Sequence, residues 1–249
     1  MKTRGILRFA LSEFRLNLRD PAMTFWAIVF PALVIGVMGA VLSQPMPEEE
    51  FGGLSFAGYM LPGAISLVIM ASAFIGAPIT LTTYRQTGVL RRLRVTPMGT
   101  LSLVLGFSMS QLVTMIVGMI VLFITAALVL DVGVAGSWAG LIGVIFLGMV
   151  TMLSLGGAIG SVARSPGSSM AISWIFYLPM MYLSDMWVPI AVLPGWLQTV
   201  AKALPLTPLN TLLRDIFFGR PLVDPWRIAV LAGWAAVGIL ITRRFFRWE

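Results

Sequence analysis

Long uncharged segments separated by short charged ones dominate the chain. The longest, Val95–Leu130, runs for 36 residues without a charged side chain, and Pro21–Pro47, Phe51–Tyr84 and Val132–Ala163 are also long. The hydrocarbon core of a bilayer is about 30 Å thick, and a helix needs about 20 apolar residues to cross it. The pattern therefore predicts an integral membrane protein built almost entirely from spanning helices.

We expect one all-α transmembrane domain, residues 1–249, with six spanning helices. The predicted spans are Met23–Leu42, Phe56–Thr83, Leu101–Leu130, Trp138–Val162, Met170–Leu183 and Ile228–Thr242. Before them, residues 1–20 carry apolar side chains near helical spacing and arginines on another face. This pattern favours an amphipathic helix that lies at the membrane interface, the alternative being a positively charged tail that happens to be helical.

The Lys and Arg residues orient the predicted spans. Of the 17, thirteen fall on one side, in the two tails and the second and fourth loops, and four fall in the fifth connection. Cytoplasmic loops carry the excess of Lys and Arg in membrane proteins. We therefore expect a multi-pass protein of the cell (cytoplasmic) membrane with both termini in the cytoplasm.

Composition supports the membrane assignment and excludes several kinds of site. Hydrophobic residues make up 58%, charged residues 11%, and the mean hydropathy is +0.94. The formal charge of +7 lies beside the hydrophobic spans, so it indicates a membrane surface and no nucleic-acid partner. The sequence has no Cys and no His, which excludes disulfides and the common zinc sites, and no metal site is expected.

The connection over residues 184–226 is much longer than the other loops. Its first part is apolar but is interrupted by prolines and a glycine, so it suits neither a spanning helix nor water. A re-entrant pair of half-helices that enters the bilayer from the outer face fits both properties, and an amphipathic loop at the interface is the alternative. The residues that carry this interpretation are Trp187, Pro189, Pro194, Gly195 and Trp196.

Motifs for catalysis and for nucleotide binding are absent from the sequence. Neither G-x-x-x-x-G-K-[ST] nor G-x-S-x-G occurs, so we expect no catalytic residue and no cofactor in this chain. Ion-driven transporters usually keep a carboxylate or a histidine at membrane depth. Asp185, at the end of the fifth span, is the only acidic residue near that depth, and a capping role is expected for it. Energy for any uphill transport would then come from another chain.

The second loop, residues 84–97, is the candidate site for receiving that energy. Leu90 and Leu93 are three positions apart and share one helix face, while Arg91 and Arg94 share another. Gly88 is expected to break the long second helix, and Pro97 to stop or start the next one. The loop is thus predicted to be a short basic helix across the ends of two spans, or alternatively a loop that only anchors to lipid.

The second loop also carries a family resemblance. Residues 88–97, Gly-Val-Leu-Arg-Arg-Leu-Arg-Val-Thr-Pro, resemble the pattern G-[TV]-L-x-R-L-x-x-T-P of the type-2 ATP-binding-cassette (ABC-2) exporter permeases. Residues 183–189, 193–198 and 204–209 are similar to the outer segment of that family before its last span. With short outer loops, the chain looks most like the drug and antibiotic resistance subgroup.

This resemblance implies a partnership with other subunits. The permease would work as a dimer, with a second copy or a paralogue, beside separate cassette ATPases that bind ATP and Mg. The second loop would be the coupling helix, with Arg85, Gly88, Leu90 and Pro97 among its functional residues, and the others would be Arg91, Arg92, Leu93 and Arg94. The family usually has acidic residues at positions 85–87, where this chain has Arg, Gln and Thr, so a contact led by arginines is the alternative to an acidic one.

Methionines and aromatic residues suggest a path for a substrate. The candidates are Met109, Met115, Met119, Phe176 and Met180, because Met adapts to varied ligands, although core filling is the simpler explanation of the methionines. The expected function is export of small amphipathic compounds, such as a drug, an antibiotic or a lipid. Export of a lipid-linked glycan and an accessory role without transport are the alternatives.

Overall fold

The computed structural model describes residues 2–41, 56–94, 100–130, 134–186, 190–220 and 224–246. All regular structure in these ranges is helical. The helices are α1 (Lys2–Arg19), α2 (21–41), α3 (56–86), α4 (Val89–Arg94), α5 (Thr100–Val129), α6 (Trp138–Val162), α7 (Pro166–Leu183), α8 (Gly195–Ala203), α9 (Leu206–Phe217) and α10 (Pro225–Phe245), with a short 3₁₀ turn at Ile190–Val192.

Local sequence explains where several helices begin. Asp20 separates α1 from α2, which starts at Pro21, the preferred residue type for a first helical position. Ser137 caps α6 by accepting a hydrogen bond from the Gly140 amide, and Ser165 caps α7 through a reciprocal pair of hydrogen bonds with Ser168. These boundaries lie within a few residues of those predicted from the hydrophobic pattern.

Four helical segments in the described ranges are long and apolar enough to cross a membrane. They are Tyr59–Gln86 in α3, Gly106–Val129 in α5, Trp138–Val162 and Pro225–Phe245, and a shorter apolar segment, Phe25–Val41, lies in α2. The fifth predicted span corresponds to α7. Helix α7 is not among the four candidate spans. The described residues therefore agree with an all-helical membrane protein, and the number of six spans stays a prediction.

Helix α3 forms the centre of the bundle. It contacts α2, α5, α6, α7 and α9, and its spanning part is the most buried of the four candidate spans. Helix α1 packs along α5, and α10 packs mainly on α6. Side chains of α2, α3, α5, α6, α7, α9 and α10 form one continuous hydrophobic core around α3.

Helices α2 and α3 each contain a turn of π-helix, at Phe25–Val29 and Ala71–Gly76. Each turn packs against a glycine of a neighbouring helix. A Cβ atom at Gly156 of α6 would lie 1.9 Å from the Ala73 carbonyl oxygen, and one at Gly118 of α5 would lie 2.7 Å from that of Ala27. Only glycine allows backbones to approach this closely, so Gly156 serves packing within the chain.

The long connection after α7 contains two short helices. Helix α8 is largely exposed, whereas α9 is buried against α3, α6 and α10. Helix α9 ends before Gly219, which has a left-handed backbone with φ of +64° and closes the helix as glycine commonly does. The sequence predicted a pair of half-helices in this connection, and their depth in a bilayer is taken up under the proposed function.

Candidate functional site

The loop between α3 and α4 is a sharp turn followed by a short helix. Gly88 has φ of +72°, a left-handed conformation that favours glycine, and its amide donates a hydrogen bond to the Arg85 carbonyl oxygen at 3.3 Å. Helix α4 then runs from Val89 to Arg94. The structure thus confirms both the break at Gly88 and the short helix after it.

The predicted coupling residues occupy several environments. Leu90 is buried, at 6% exposure, and Arg92 is exposed, as expected for an amphipathic helix. For Arg91, Leu93 and Arg94 the structure describes the backbone alone, and Pro97 lies outside the described residues. The assignment of these residues to an ATPase contact stays a prediction.

Arg85 contacts the end of another helix within the chain. Its guanidinium donates hydrogen bonds to the carbonyl oxygens of Ala163, at 2.8 Å, and Gly160, at 3.1 Å. The last carbonyls of a helix have no partner inside that helix, and a cation is favourable there. Arg85 therefore fixes the α3 end of the coupling loop to the C-terminal end of α6.

Helix α1 is fixed at the same place through buried polar groups. Glu13 is 5% exposed, and its Oε2 accepts a hydrogen bond from the Tyr84 hydroxyl at 2.5 Å. Burial raises the pKa of Glu13, and the Tyr84 hydrogen bond opposes this rise. Further along α1, the Asn17 amide donates to the Ser110 hydroxyl of α5 at 3.4 Å. These contacts turn Glu13 and Asn17 of α1 toward the protein.

The orientation of α1 is a feature that sequence reasoning missed. Its leucines, Leu7, Leu11, Leu16 and Leu18, are exposed. The residues on the protein side are Ala10, Glu13 and Asn17, which recur at helical spacing and are small or polar. This spacing in the sequence could have shown which face of α1 contacts the protein. Exposed leucines and an inward polar face suit a helix with lipid on its outer side.

A second polar cluster joins the other end of α3 to α7 and α9, and we call its three residues Tyr59, Asp185 and Arg214 the outer clasp. The Arg214 guanidinium forms an ion pair with the Asp185 carboxylate, donates to the Asp185 carbonyl oxygen at 2.6 Å and lies 4.0 Å from the Tyr59 ring centroid. Burial raises the pKa of Asp185, and the Arg214 charge opposes this rise. Arg214 and Tyr59 were not predicted as functional residues.

Asp185 has a local role beside the ion pair. Its other carboxylate oxygen accepts a hydrogen bond from the Ile190 amide at 3.1 Å, which agrees with the expected capping role. Its backbone has φ of +59°, a conformation that is uncommon for residues other than glycine, asparagine and aspartate. The outer clasp therefore holds a strained turn between α7 and the 3₁₀ segment.

Three of the five outer residues named from sequence lie at the start of α8. Pro194 occupies the position before the helix, Gly195 is its first residue, and the Trp196 ring is exposed at 71%. Trp187 and Pro189 lie outside the described residues. Sequence reasoning placed a broken apolar segment here, and the structure describes a 3₁₀ turn and a short helix.

The candidate path residues do not form one surface. Met115, Met119 and Met180 are buried in the hydrophobic core, whereas Met109 and Phe176 are exposed. In the described residues, no cluster of acidic side chains has the composition of a metal site. Among the described residues, the buried charged side chains, Glu13 and Arg214, contact opposite ends of α3.

Comparison with known proteins identifies the family. A family model described as ABC-2 type transporter matches residues 6–218. The chain belongs to the ABC-2 type transporter family. In this family the ATPase is a separate subunit, so the ABC-2 permease described here is a membrane subunit that requires an ATPase partner. The match covers α1, the coupling loop and the outer clasp.

Individual relatives agree with this assignment. The daunorubicin resistance ABC transporter permease protein DrrB1 of Streptomyces coeruleorubidus is 25% identical over 246 residues, which cover 96% of this permease and 82% of the relative. A protein of Bacillus subtilis (strain 168) named as a transport permease, YvfS, is 21% identical over 203 residues, covering 79% and 78%. ABC transporter G family member 20 of Dictyostelium discoideum is 27% identical over 165 residues, 65% of this chain and 22% of its own length.

Proposed function

We propose that this permease exports amphipathic compounds, such as a drug, an antibiotic or a lipid, across the cell membrane. A cassette ATPase supplies the energy at helix α4. In this arrangement the chain has six spans, formed by α2, α3, α5, α6, α7 and α10, with both termini in the cytoplasm. The pair α8 and α9 enters the membrane from the outer side. A second copy or a paralogue completes a dimer.

The observation that carries the proposal is the linkage at the α4 end of α3. Adjacent residues, Tyr84 and Arg85, bind α1 and the end of α6 respectively, directly before the turn at Gly88. A movement of α4 would therefore displace three helices together instead of bending an isolated loop. Such a mechanical connection is what an energy-receiving loop needs, and an anchor to lipid does not need it.

Helix α3 connects this linkage to the outer clasp. Tyr59 and Arg85 are 26 residues apart on one helix, and at 1.5 Å per residue this separation is about 39 Å. One rigid element thus reaches from the proposed ATPase side to the contacts between α7 and α9. Opening of the outer clasp in response to ATP hydrolysis is the corresponding step of the transport cycle.

The proposed substrate class follows from the apolar character of the interior. The described residues of the spans carry buried serine and threonine side chains but no buried charge between Tyr59 and Tyr84 of α3. Phe176 and Met109 present apolar surface that an amphipathic compound could contact. The drug-resistance name of one relative supports this class, and a lipid-linked glycan is the second candidate within the same mechanism.

Charge reversal in α4 tests the proposal. We expect a variant with Arg91, Arg92 and Arg94 all replaced by Glu to insert normally and to lose either the co-purified ATPase or substrate-stimulated ATP hydrolysis. Contacts that depend on charge complementarity fail when one partner's charge is inverted. The measurement is ATPase co-purification, followed by ATPase activity in vesicles with and without an amphipathic substrate.

A matched control changes the same charge elsewhere. Replacement of Arg243, Arg244 and Arg247 by Glu also inverts three positive charges on the proposed cytoplasmic side, and it should leave partner binding intact. Normal ATPase binding and normal substrate stimulation in the α4 variant would show that this loop only anchors the protein to lipid. If the wild type bound the ATPase normally but no amphipathic compound stimulated ATP hydrolysis, the accessory role would be favoured.

A further inference from the structure

A groove of about 590 Å³ lies between α8 and α10, away from the coupling loop and the outer clasp. Lys202 and Thr199 of α8 form one wall. A strip of α10 residues forms the other wall, and it consists of Trp226, Val230, Gly233 and Val237. The groove is therefore mostly apolar, with one cationic side chain beside it.

The α10 strip has the spacing of a single helix face. Its members follow one another at intervals of four, three and four residues, so about one of them occurs in each turn. From Trp226 to Val237 the strip is about 16 Å long at 1.5 Å per residue. This length is about half of the 30 Å hydrocarbon core, which is the thickness of one leaflet.

Two features show that the groove is built into the fold. The Trp234 indole N–H donates a hydrogen bond to the carbonyl oxygen of Ala203 at 2.9 Å, which fixes the end of α8 against α10. At Gly233 an added Cβ atom would have no other atom within 4 Å, so this glycine leaves a notch open along the strip. The groove thus has a fixed width and an unfilled floor.

The charge at the groove is unbalanced. In the described residues Lys202 is exposed and has no ion pair, whereas Arg214 pairs with Asp185, and Arg227 pairs with Asp215 at 2.6 Å. The long stem of a lysine can lie along apolar surface and carry its ammonium group to the level of the lipid headgroups. Trp226, at 70% exposure, has the amphipathic ring that favours the same level.

We propose that this groove binds a phospholipid with an anionic headgroup from the outer leaflet. The Lys202 ammonium pairs with the headgroup anion, and one acyl chain lies along the α10 strip over Gly233. The leaflet rests on the proposed orientation, in which the N-terminal end of α10 is outside. A lipid held here would stabilise the contact between α8 and α10.

Lipid retention by the full chain tests this site. The purified permease in mild detergent receives equal amounts of phosphatidylglycerol and phosphatidylcholine with the same acyl chains, and native mass spectrometry counts the retained lipids. The wild type should retain phosphatidylglycerol about fivefold better, which corresponds to about 1 kcal/mol, the usual effect of one lysine near an anionic surface. Lys202→Gln should reduce the ratio to about one, and Lys202→Arg should preserve the preference.

A substitution at Gly233 tests whether lipid retention depends on the groove itself or only on charge attraction. Gly233→Leu should reduce retention of both lipids, because its side chain occupies the acyl position without striking the protein. Gly143→Leu is the matched control, since Gly143 of α6 is also exposed with no atom within 4 Å of an added Cβ. Arg164→Gln is the control for charge, and both controls should behave as wild type.

The outcomes that would overturn the proposal are distinct. Equal retention of the two lipids by the wild type would contradict the preference for an anionic headgroup. Unchanged retention in Gly233→Leu would show that the lipid does not bind in the groove. A shift of oligomeric mass in Gly233→Leu would show that a second copy covers this face instead of lipid. Retention needs neither ATP nor the ATPase, so the proposal can fail or succeed independently of transport.

Discussion

Arg214 is a buried charged residue that several neighbouring groups hold in place. It is 7% exposed and contacts the Asp185 carboxylate, the Asp185 carbonyl oxygen and the Tyr59 ring. Transfer of a cation from water into the protein interior costs free energy unless the cation is paired and hydrogen-bonded there. Arg214 lies in α9, whereas Asp185 follows the end of α7 and Tyr59 lies in α3. The arrangement of these three helices therefore depends on one side chain.

We expect Arg214→Met to destabilise the protein by about 3–5 kcal/mol, because it leaves the buried Asp185 carboxylate without its cation. Asp185→Asn should also destabilise, while asparagine still tolerates the positive φ at this position. The double variant should cost less than the sum of the two single variants. The measurement is unfolding in detergent, followed by tryptophan fluorescence as denaturant is added.

Arg220→Met is the control for this experiment. Arg220 is exposed and lies 3.9 Å from Asp215, so its loss should change stability by less than about 1 kcal/mol. Additive effects of the two clasp substitutions would show that Asp185 and Arg214 do not act as a pair.

At the scale of elements, local patterns in the sequence were sufficient to predict the positions of the helices. Uncharged segments bounded by Arg, Pro and Gly predicted the bounds of α3, α5 and α6 within a few residues. The turn at Gly88 was also predictable, because a glycine directly precedes a short basic helix. These features depend on residues close together in the chain.

The contacts between elements were not predictable in the same way. The Glu13–Tyr84 hydrogen bond joins residues 71 apart, and the Arg85–Ala163 hydrogen bond joins residues 78 apart. The π turns in α2 and α3 also have no local sequence signature, since their backbone freedom depends on glycines in α5 and α6. One sequence without homologues carries no information on such pairs, so the outer clasp was missed, whereas the rotation of α1 had a local signal in the spacing of Ala10, Glu13 and Asn17.

The contact between α3 and α6 leads to a prediction about packing. Gly156→Val should destabilise the bundle by more than the 1–3 kcal/mol that is typical of overpacking, because the first added carbon would lie 1.9 Å from a backbone oxygen. Gly143→Val places the same side chain on the same helix in open space. Only the first variant should lower the midpoint of thermal unfolding in detergent, and equal midpoints would contradict the packing described here.

At the scale of the whole molecule, α3 relates the two polar sites to the membrane. The α1 and α6 contacts lie at its Arg85 end, and the outer clasp lies at its Tyr59 end. The Lys and Arg distribution predicts that the Arg85 end lies in the cytoplasm, where an ATPase can bind. The proposed function therefore depends on a single orientation of the entire bundle.

Cysteine labelling tests that orientation directly, because the chain contains no native cysteine. Gln86→Cys, at the exposed end of α3, should react with a membrane-impermeant maleimide only when the cytoplasmic face is open to the reagent. Thr199→Cys, on exposed α8, should react from outside in intact cells. Both positions are exposed and neither one caps a helix, so a difference in labelling reports the side of the membrane.

The result at position 86 decides whether the coupling mechanism is possible. Labelling there from outside would put α4 on the face without ATP, and the linkage through Tyr84 and Arg85 could not receive energy from a cytoplasmic ATPase. If both positions were labelled from the same side, the number of membrane crossings between α3 and α8 would have to be even. The proposed topology has three crossings there, formed by α5, α6 and α7. The expected pattern, inside at 86 and outside at 199, places the coupling loop and the lipid groove on opposite faces.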